Sequence, residues 1–163
     1  MKRPKILTGL DQKVSGIVMM YGQMKTIKLC IVGVVFSLLI VGVVSHTPIR
    51  HIIQLTPLLI VVLFSKKPWI KYAAIAVLIF WLFIMSLIWL FLLGLSNIAS
   101  GTYSLTEIIM TITIGISCVI GIISFFHIKS TSKILTNIGA LIIFLLLQTA
   151  MMWTSLQGFI SNS

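Results

Sequence analysis

The sequence predicts an all-α, polytopic membrane protein with five transmembrane helices, its N-terminus cytoplasmic and its C-terminus outside. Three observations carry that expectation. First, from Ala73 to Leu93, inside the longer run Ile70 to Ser96, the only polar side chain that is not aromatic is Ser86. At 1.5 Å per residue this stretch reaches about 32 Å, the thickness of a bilayer's hydrocarbon core. A helix that is apolar all round belongs in a membrane or in the core of a very large protein, and 163 residues cannot build such a core. Second, hydrophobic residues make up 59% of the chain and charged residues 9%, against about 25% charged in an ordinary soluble domain.

Third, the basic residues sit in short clusters that alternate between apolar runs. With residue 1 in the cytoplasm, that side receives Lys2, Arg3, Lys5, Lys13, Lys25, Lys28, Lys66, Lys67, Lys71, Lys129 and Lys133, and the far side receives Arg50 alone. This is the positive-inside pattern, and deleting any one span from the count destroys it. The net charge of +10 therefore reads as topogenic, not as a nucleic-acid footprint. The expected partners are the lipid bilayer and other membrane proteins or a second copy of the chain. The expected location is the inner membrane of a bacterium, although an organelle membrane would produce the same charges.

Residues 1–26 form a basic N-terminal segment, and residues 27–163 the five-span domain. Within the first, Ile6, Leu10, Val14, Ile17 or Val18, and Tyr21 recur at helical spacing. This fits an amphipathic helix lying on the cytoplasmic surface. A partly ordered tail is the competing reading, because Gly9, Gly16 and Gly22 each weaken a helix.

The first span is read over 27–45. A signal peptide cleaved at Val43-Val44-Ser45 competes with it, but the apolar region is long and the preceding segment exceeds a typical charged n-region. Pro48 then stands near a helix start. The second span, 49–64, is barely long enough to cross and contains Gln54 and Pro57. Pro57 removes a backbone donor, so a local irregularity is expected between Ile53 and Pro57. A basic turn, Ser65 to Trp69, leads into the third span, 70–96. The uncharged stretch Asn97 to Tyr103 follows, then the fourth span, 105–127, a basic linker from Lys129 to Lys133, and the fifth span, 134–156.

In lipid, small residues that allow close approach mark the faces where helices meet. The fourth span carries Thr113, Ser117, Gly121 and Ser124, and the first carries Cys30, Gly33 and Ser37. Gln148, with Asn137 and Ser155 on roughly its face, is expected to bond across helices. Trp81, Met85 and Trp89 form a further packing stripe, while Trp69, Tyr72, Tyr103 and Trp153 suit the aromatic belts. Cys30 and Cys118 have no CxxC or Cys/His spacing and read as unpaired small hydrophobes, set at different depths.

Ionisable groups outside the cytoplasmic clusters gather at His46, Arg50 and His51 on one turn and Glu107 on another. Ionisable residues at membrane depth are functional candidates, so Arg50, His51, Gln54 and Glu107 form the candidate polar site. Ser104-x-x-Glu107 before an apolar run also matches a capping box, and Arg50 can snorkel. Pairing of Arg50 with Glu107 is expected if the second and fourth spans are neighbours. No metal, cofactor or catalytic constellation such as HExxH or GxSxG is legible. Three function classes follow: a partner or assembly subunit of a membrane complex without catalysis of its own; a subunit of a transporter or channel; and a membrane enzyme using His51 and Glu107.

Overall fold

The computed structural model describes residues 5–64, 67, 69–95, 103–127 and 133–157, with side chains from Met24 onward. Five helices account for nearly all of them: α1 (Lys5–Val44), α2 (Pro48–Leu63), α3 (Ile70–Leu92), α4 (Leu105–Phe126) and α5 (Ile134–Ser155). No strand occurs among the described residues. Four helical stretches are long and apolar enough to cross a membrane: Met24–Val44 within α1, and all of α3, α4 and α5. Pro48–Leu63 is apolar but shorter. The basic residues Lys2, Arg3, Lys66 and Lys129, and the uncharged stretch 97–102, lie outside the described residues.

Helix α1 runs 40 residues without interruption, about 60 Å at 1.5 Å per residue. The boundary read between residues 26 and 27 is therefore not a break in the backbone. Helix α1 ends in a Schellman motif, in which Thr47 N–H donates to Gly42 C=O and His46 N–H to Val43 C=O. His46 takes the left-handed position at φ 55°, normally glycine's place. The turn delivers the chain directly to Pro48 at the first position of α2, where its missing N–H costs nothing.

Helix α2 continues through Pro57 to Leu63 without a break. Helix α3 stops at Leu92 and not at Ser96. Gly94 adopts φ 70°, Leu95 N–H bonds Leu90 C=O and Gly94 N–H bonds Phe91 C=O. This second Schellman motif ends the helix although the sequence stays apolar through Leu95. Helix α4 opens on the expected box: Ser104 accepts from Glu107 N–H while the Glu107 carboxylate accepts from Ser104 N–H.

The bundle closes as a ring in which α1 packs on α4, α4 on α3, α3 on α5, α5 on α2, and α2 on α1. Helix α3 also touches α1 and α2, so it packs against all four other helices. Its burial follows: Ala73, Ala74, Ala76, Val77 and Leu78 are almost wholly enclosed, with Trp81 and Met85 further along. The small side chains let neighbouring backbones approach where no hydrophobic force drives them together.

The α1–α4 seam is built from small residues. A Cβ on Gly33 would lie 3.3 Å from Ser117 Oγ, and one on Gly121 would lie 3.4 Å from Cys30 Cβ and 2.7 Å from Leu78 Cδ1. These pairings run antiparallel, since 30 meets 121 and 33 meets 117. They also bring Cys30 to within one turn of Cys118, nearer in depth than the sequence suggests, and both thiols are free. Thr113 does not join this seam. It is exposed, and its hydroxyl donates to Ile109 C=O of its own helix at 2.9 Å. The buried face of α4 is Thr111, Ile114, Gly115, Cys118, Gly121 and Ser124, rotated away from 113.

Candidate functional site

Helices α1, α3 and α5 finish, and α2 and α4 begin, at the same end of the bundle. A cavity of about 260 Å³ lies there, and all five helices line it. Helix α1 and its turn supply Leu38, Val41, Ser45 and Thr47; α2 supplies Arg50, His51 and Gln54; α4 supplies Glu107, Thr111 and Ile114. Trp81, Met85 and Ile88 of α3 and Met152 of α5 close the apolar side. The four residues singled out from the sequence thus face one cavity. Their gathering follows from i, i+1 and i+4 spacing on the first turns of α2, and from the capping position of Glu107 on α4.

The expected route to this gathering is corrected. Helices α2 and α4 are not packed neighbours, because α4 packs on α1 and α3 while α2 packs on α1 and α5. They face each other across the cavity. Accordingly no ion pair within 4.0 Å joins Arg50 to Glu107. Arg50 Nε is buried and has no hydrogen-bond partner among the described residues.

His51 is held from its own helix start. Its Nδ1 lies 3.0 Å from Thr47 C=O, and a carbonyl can only accept, so that bond requires the proton on Nδ1 and leaves Nε2 with a lone pair. Ser45 Oγ and Thr47 Oγ1, 2.8 Å apart, extend the chain of polar contacts toward Val41 C=O. A Cβ on Gly42 would lie 3.0 Å from His51 Cβ, so the glycine lets the His51 ring sit against α1.

Behind the cavity a polar seam ties α2 to α5. Gln54 Nε2 donates to Ser155 Oγ at 2.8 Å, and Gln148 Nε2 donates to the Gln54 main-chain carbonyl at 3.2 Å. Asn137, expected on the same face, is also buried. Gln148 is fully buried, and its Oε1 has no partner. Trp81 Nε1 and Trp89 Nε1 are likewise buried without partners.

Two contributors were not legible in the sequence. Gly115 gives way to Trp89, whose indole a Cβ there would overlap; the small stripe legible in the sequence runs through Thr113, Ser117, Gly121 and Ser124 instead. Tyr103 lines the cavity mouth, although its type and position suggested only the aromatic belt. Among the described residues, no group of three or more His, Cys, Asp or Glu could hold a metal ion.

The fold and site together define an all-helical bundle with four membrane-span-capable helices and a polar cavity at one end. No family model, curated protein or solved structure matches this chain.

Proposed function

We propose that the chain is a five-span integral membrane protein of a bacterial inner membrane, N-terminus inside and C-terminus outside, which serves a membrane complex as a non-catalytic binding subunit. The convergence of Arg50, His51, Gln54 and Glu107 on one cavity lined by all five helices carries this reading. In the proposed orientation the cavity opens on the extracytoplasmic side, at the depth of the lipid headgroups. Its floor supports binding in preference to conduction, since Cys118, Val34, Val77 and Leu78 below it are essentially unexposed. Binding in the cavity is the means by which the subunit would engage its complex.

The test is substituted-cysteine labelling in a Cys30→Ala, Cys118→Ala background. Thr111→Cys and Gln54→Cys should react with a membrane-impermeant maleimide added outside and should not react with it when it is added from the cytoplasmic face. Labelling from the cytoplasmic side alone, or from neither side, would overturn the reading. For the partner role, the full chain purified in mild detergent should retain a stoichiometric larger membrane protein, and Arg50→Ala should release it. Recovery of the chain alone from gently solubilised membranes would count against that role.

A further inference from the structure

Resting on the reading of the cavity as an open binding site, we propose that it takes a zwitterionic group of headgroup size, with the anionic end on Arg50 and the ammonium end on Glu107. The starting observation is an unpaired pair. Arg50 and Glu107 line the same cavity, yet no ion pair within 4.0 Å joins them. Two opposite charges left facing a shared space leave room for something that carries both signs.

The cavity has donors in surplus. Arg50 Nε and Trp81 Nε1 are both buried without a partner, and both residues line the cavity. Unsatisfied buried donors are rare in native proteins and ask for an explanation. Helix α2 begins here with no side-chain cap from Thr47 and no acidic residue in its first turn. Its free amide groups and the positive end of its dipole therefore add to the Arg50 charge. An anionic oxygen cluster, as in a phosphate or a carboxylate, answers the guanidinium and the helix start, and guanidinium recognises either in a forked geometry.

The carboxylate, in turn, is only half used. Glu107 Oε2 accepts from Ser104 N–H at 2.7 Å and from Ser104 Oγ at 2.8 Å, while Oε1 accepts nothing among the described residues. A simple anion would have to sit facing this carboxylate, and a simple cation would have to sit facing Arg50. A group carrying both charges meets neither objection. An ammonium also donates up to three hydrogen bonds, which suits Glu107 Oε1 and the lone pair on His51 Nε2.

Size and access agree. About 260 Å³ lies just under the ~300–1,000 Å³ of ordinary small-molecule sites, which fits a headgroup-sized occupant. A more open cleft lined by Val44, Ser45, Tyr103, Ser104 and Glu107 shares Ser45, Tyr103 and Glu107 with the cavity. It provides the entry, between the end of α1 and the start of α4. The same chemistry is offered by an ethanolamine phospholipid and by a free solute such as phosphoethanolamine.

Native mass spectrometry of the full chain, released from uncharged maltoside micelles, separates the outcomes. The probes are phosphatidylethanolamine, phosphatidylglycerol and soluble phosphoethanolamine. Retention of phosphatidylethanolamine in preference to phosphatidylglycerol is expected. Adducts with soluble phosphoethanolamine at similar concentration would identify a free solute as the source, and adducts with the lipid alone would identify the headgroup. Arg50→Gln and Glu107→Gln should each weaken retention roughly tenfold or more, as loss of a charged hydrogen bond does. Glu107→Gln keeps the helix cap, because glutamine fills the same place in a capping box. Equal retention of phosphatidylglycerol, or weakening by Arg50→Gln alone, would overturn the zwitterion and leave a plain anion site. Should Arg50→Gln not fold, the wild-type lipid comparison and Glu107→Gln still decide. Absence of every adduct while Thr111→Cys still labels from outside would sink this inference and leave the open cavity standing.

Discussion

Gln148 on α5 donates its side-chain amide to the main-chain carbonyl of Gln54 on α2 at 3.2 Å. That carbonyl lies three residues before Pro57, whose missing N–H deprives the Ile53 carbonyl, one position earlier, of its helical donor. The bond thus ties α5 to the proline-bearing turn of α2. The side chain of Gln54 is occupied separately, with Ser155.

This separation predicts the outcome of two double-mutant cycles. Gln54→Leu and Ser155→Ala remove the two ends of one bond, so their losses should be non-additive by about 0.6 kcal/mol and at most about 1.7 kcal/mol. Gln148→Leu combined with Gln54→Leu should be close to additive, because the Gln148 bond ends on main chain that both variants retain. Unfolding in mixed micelles measures both. Strong coupling in the second cycle and none in the first would show the bonding pattern to be wrong.

Gly115 and Gly139 make a matched pair. A Cβ at 115 would overlap Trp89 Cη2, whereas among the described residues nothing lies within 4 Å of a Cβ at 139. Indole is rigid, so Gly115→Ala must displace Trp89 and should cost about 1–3 kcal/mol. Gly139→Ala should instead gain up to about 1 kcal/mol from helix propensity. Adding Trp89→Leu to Gly115→Ala should recover part of the loss. Thermal denaturation of the purified chain reads all three, and an indifferent Gly115→Ala would refute the contact.

The starts of α2 to α5 were legible in the sequence because polar turns separate the apolar runs and two of the starts carry chemical marks, Pro48 and Ser104. The end of α3 was not, since Leu93, Gly94 and Leu95 read as a continued apolar run until the φ of Gly94 is known. The packing face of α4 was ambiguous for a related reason. When a helix is apolar all round, hydrophobic period does not choose a face, and small residues occupied two overlapping stripes, one through Thr113 and one through Gly115. The candidate polar residues could be named individually. That they would meet across a cavity, with α2 and α4 not packed as neighbours, depends on the order of helices around the ring, which no local pattern encodes.

The two Schellman turns predict opposite signs. His46 stands at φ 55° where glycine is favoured, and Gly94 stands at φ 70° with nothing among the described residues within 4 Å of where a Cβ would stand. His46→Gly should stabilise by about 1 kcal/mol, and Gly94→Ala should destabilise by a similar amount, both through the left-handed backbone alone. Equal signs in a stability assay would contradict the assigned turns.

The Ser104–Glu107 box separates cap from charge. Glu107→Ala should lose about 0.5–2 kcal/mol, the usual range for a lost cap, while Glu107→Gln should lose little because the amide oxygen still accepts from Ser104 N–H. Comparable losses in the two variants would mean that charge, and not the cap, governs stability at the start of α4.

The topology itself turns on α2. Its 16 residues rise about 24 Å, short of the ~30 Å hydrocarbon core. Length alone therefore leaves a choice between a full crossing and a re-entrant loop. Charge argues for the crossing, since it leaves Arg50 alone outside while the clusters around Lys28, Lys66 and Lys133 stay inside. A re-entrant α2 would return the chain to the side on which it entered, place Lys66, Lys67 and Lys71 opposite the N-terminal cluster, and invert every later connection. The polar bonds from α2 to α5 and the tight turn to α1 give a short helix the partners it needs to stay inserted. An alkaline phosphatase fusion after Ser163 should be active, and a green fluorescent protein fusion there should be dark. A fluorescent C-terminus would reject five spans, and the error would then lie in α2.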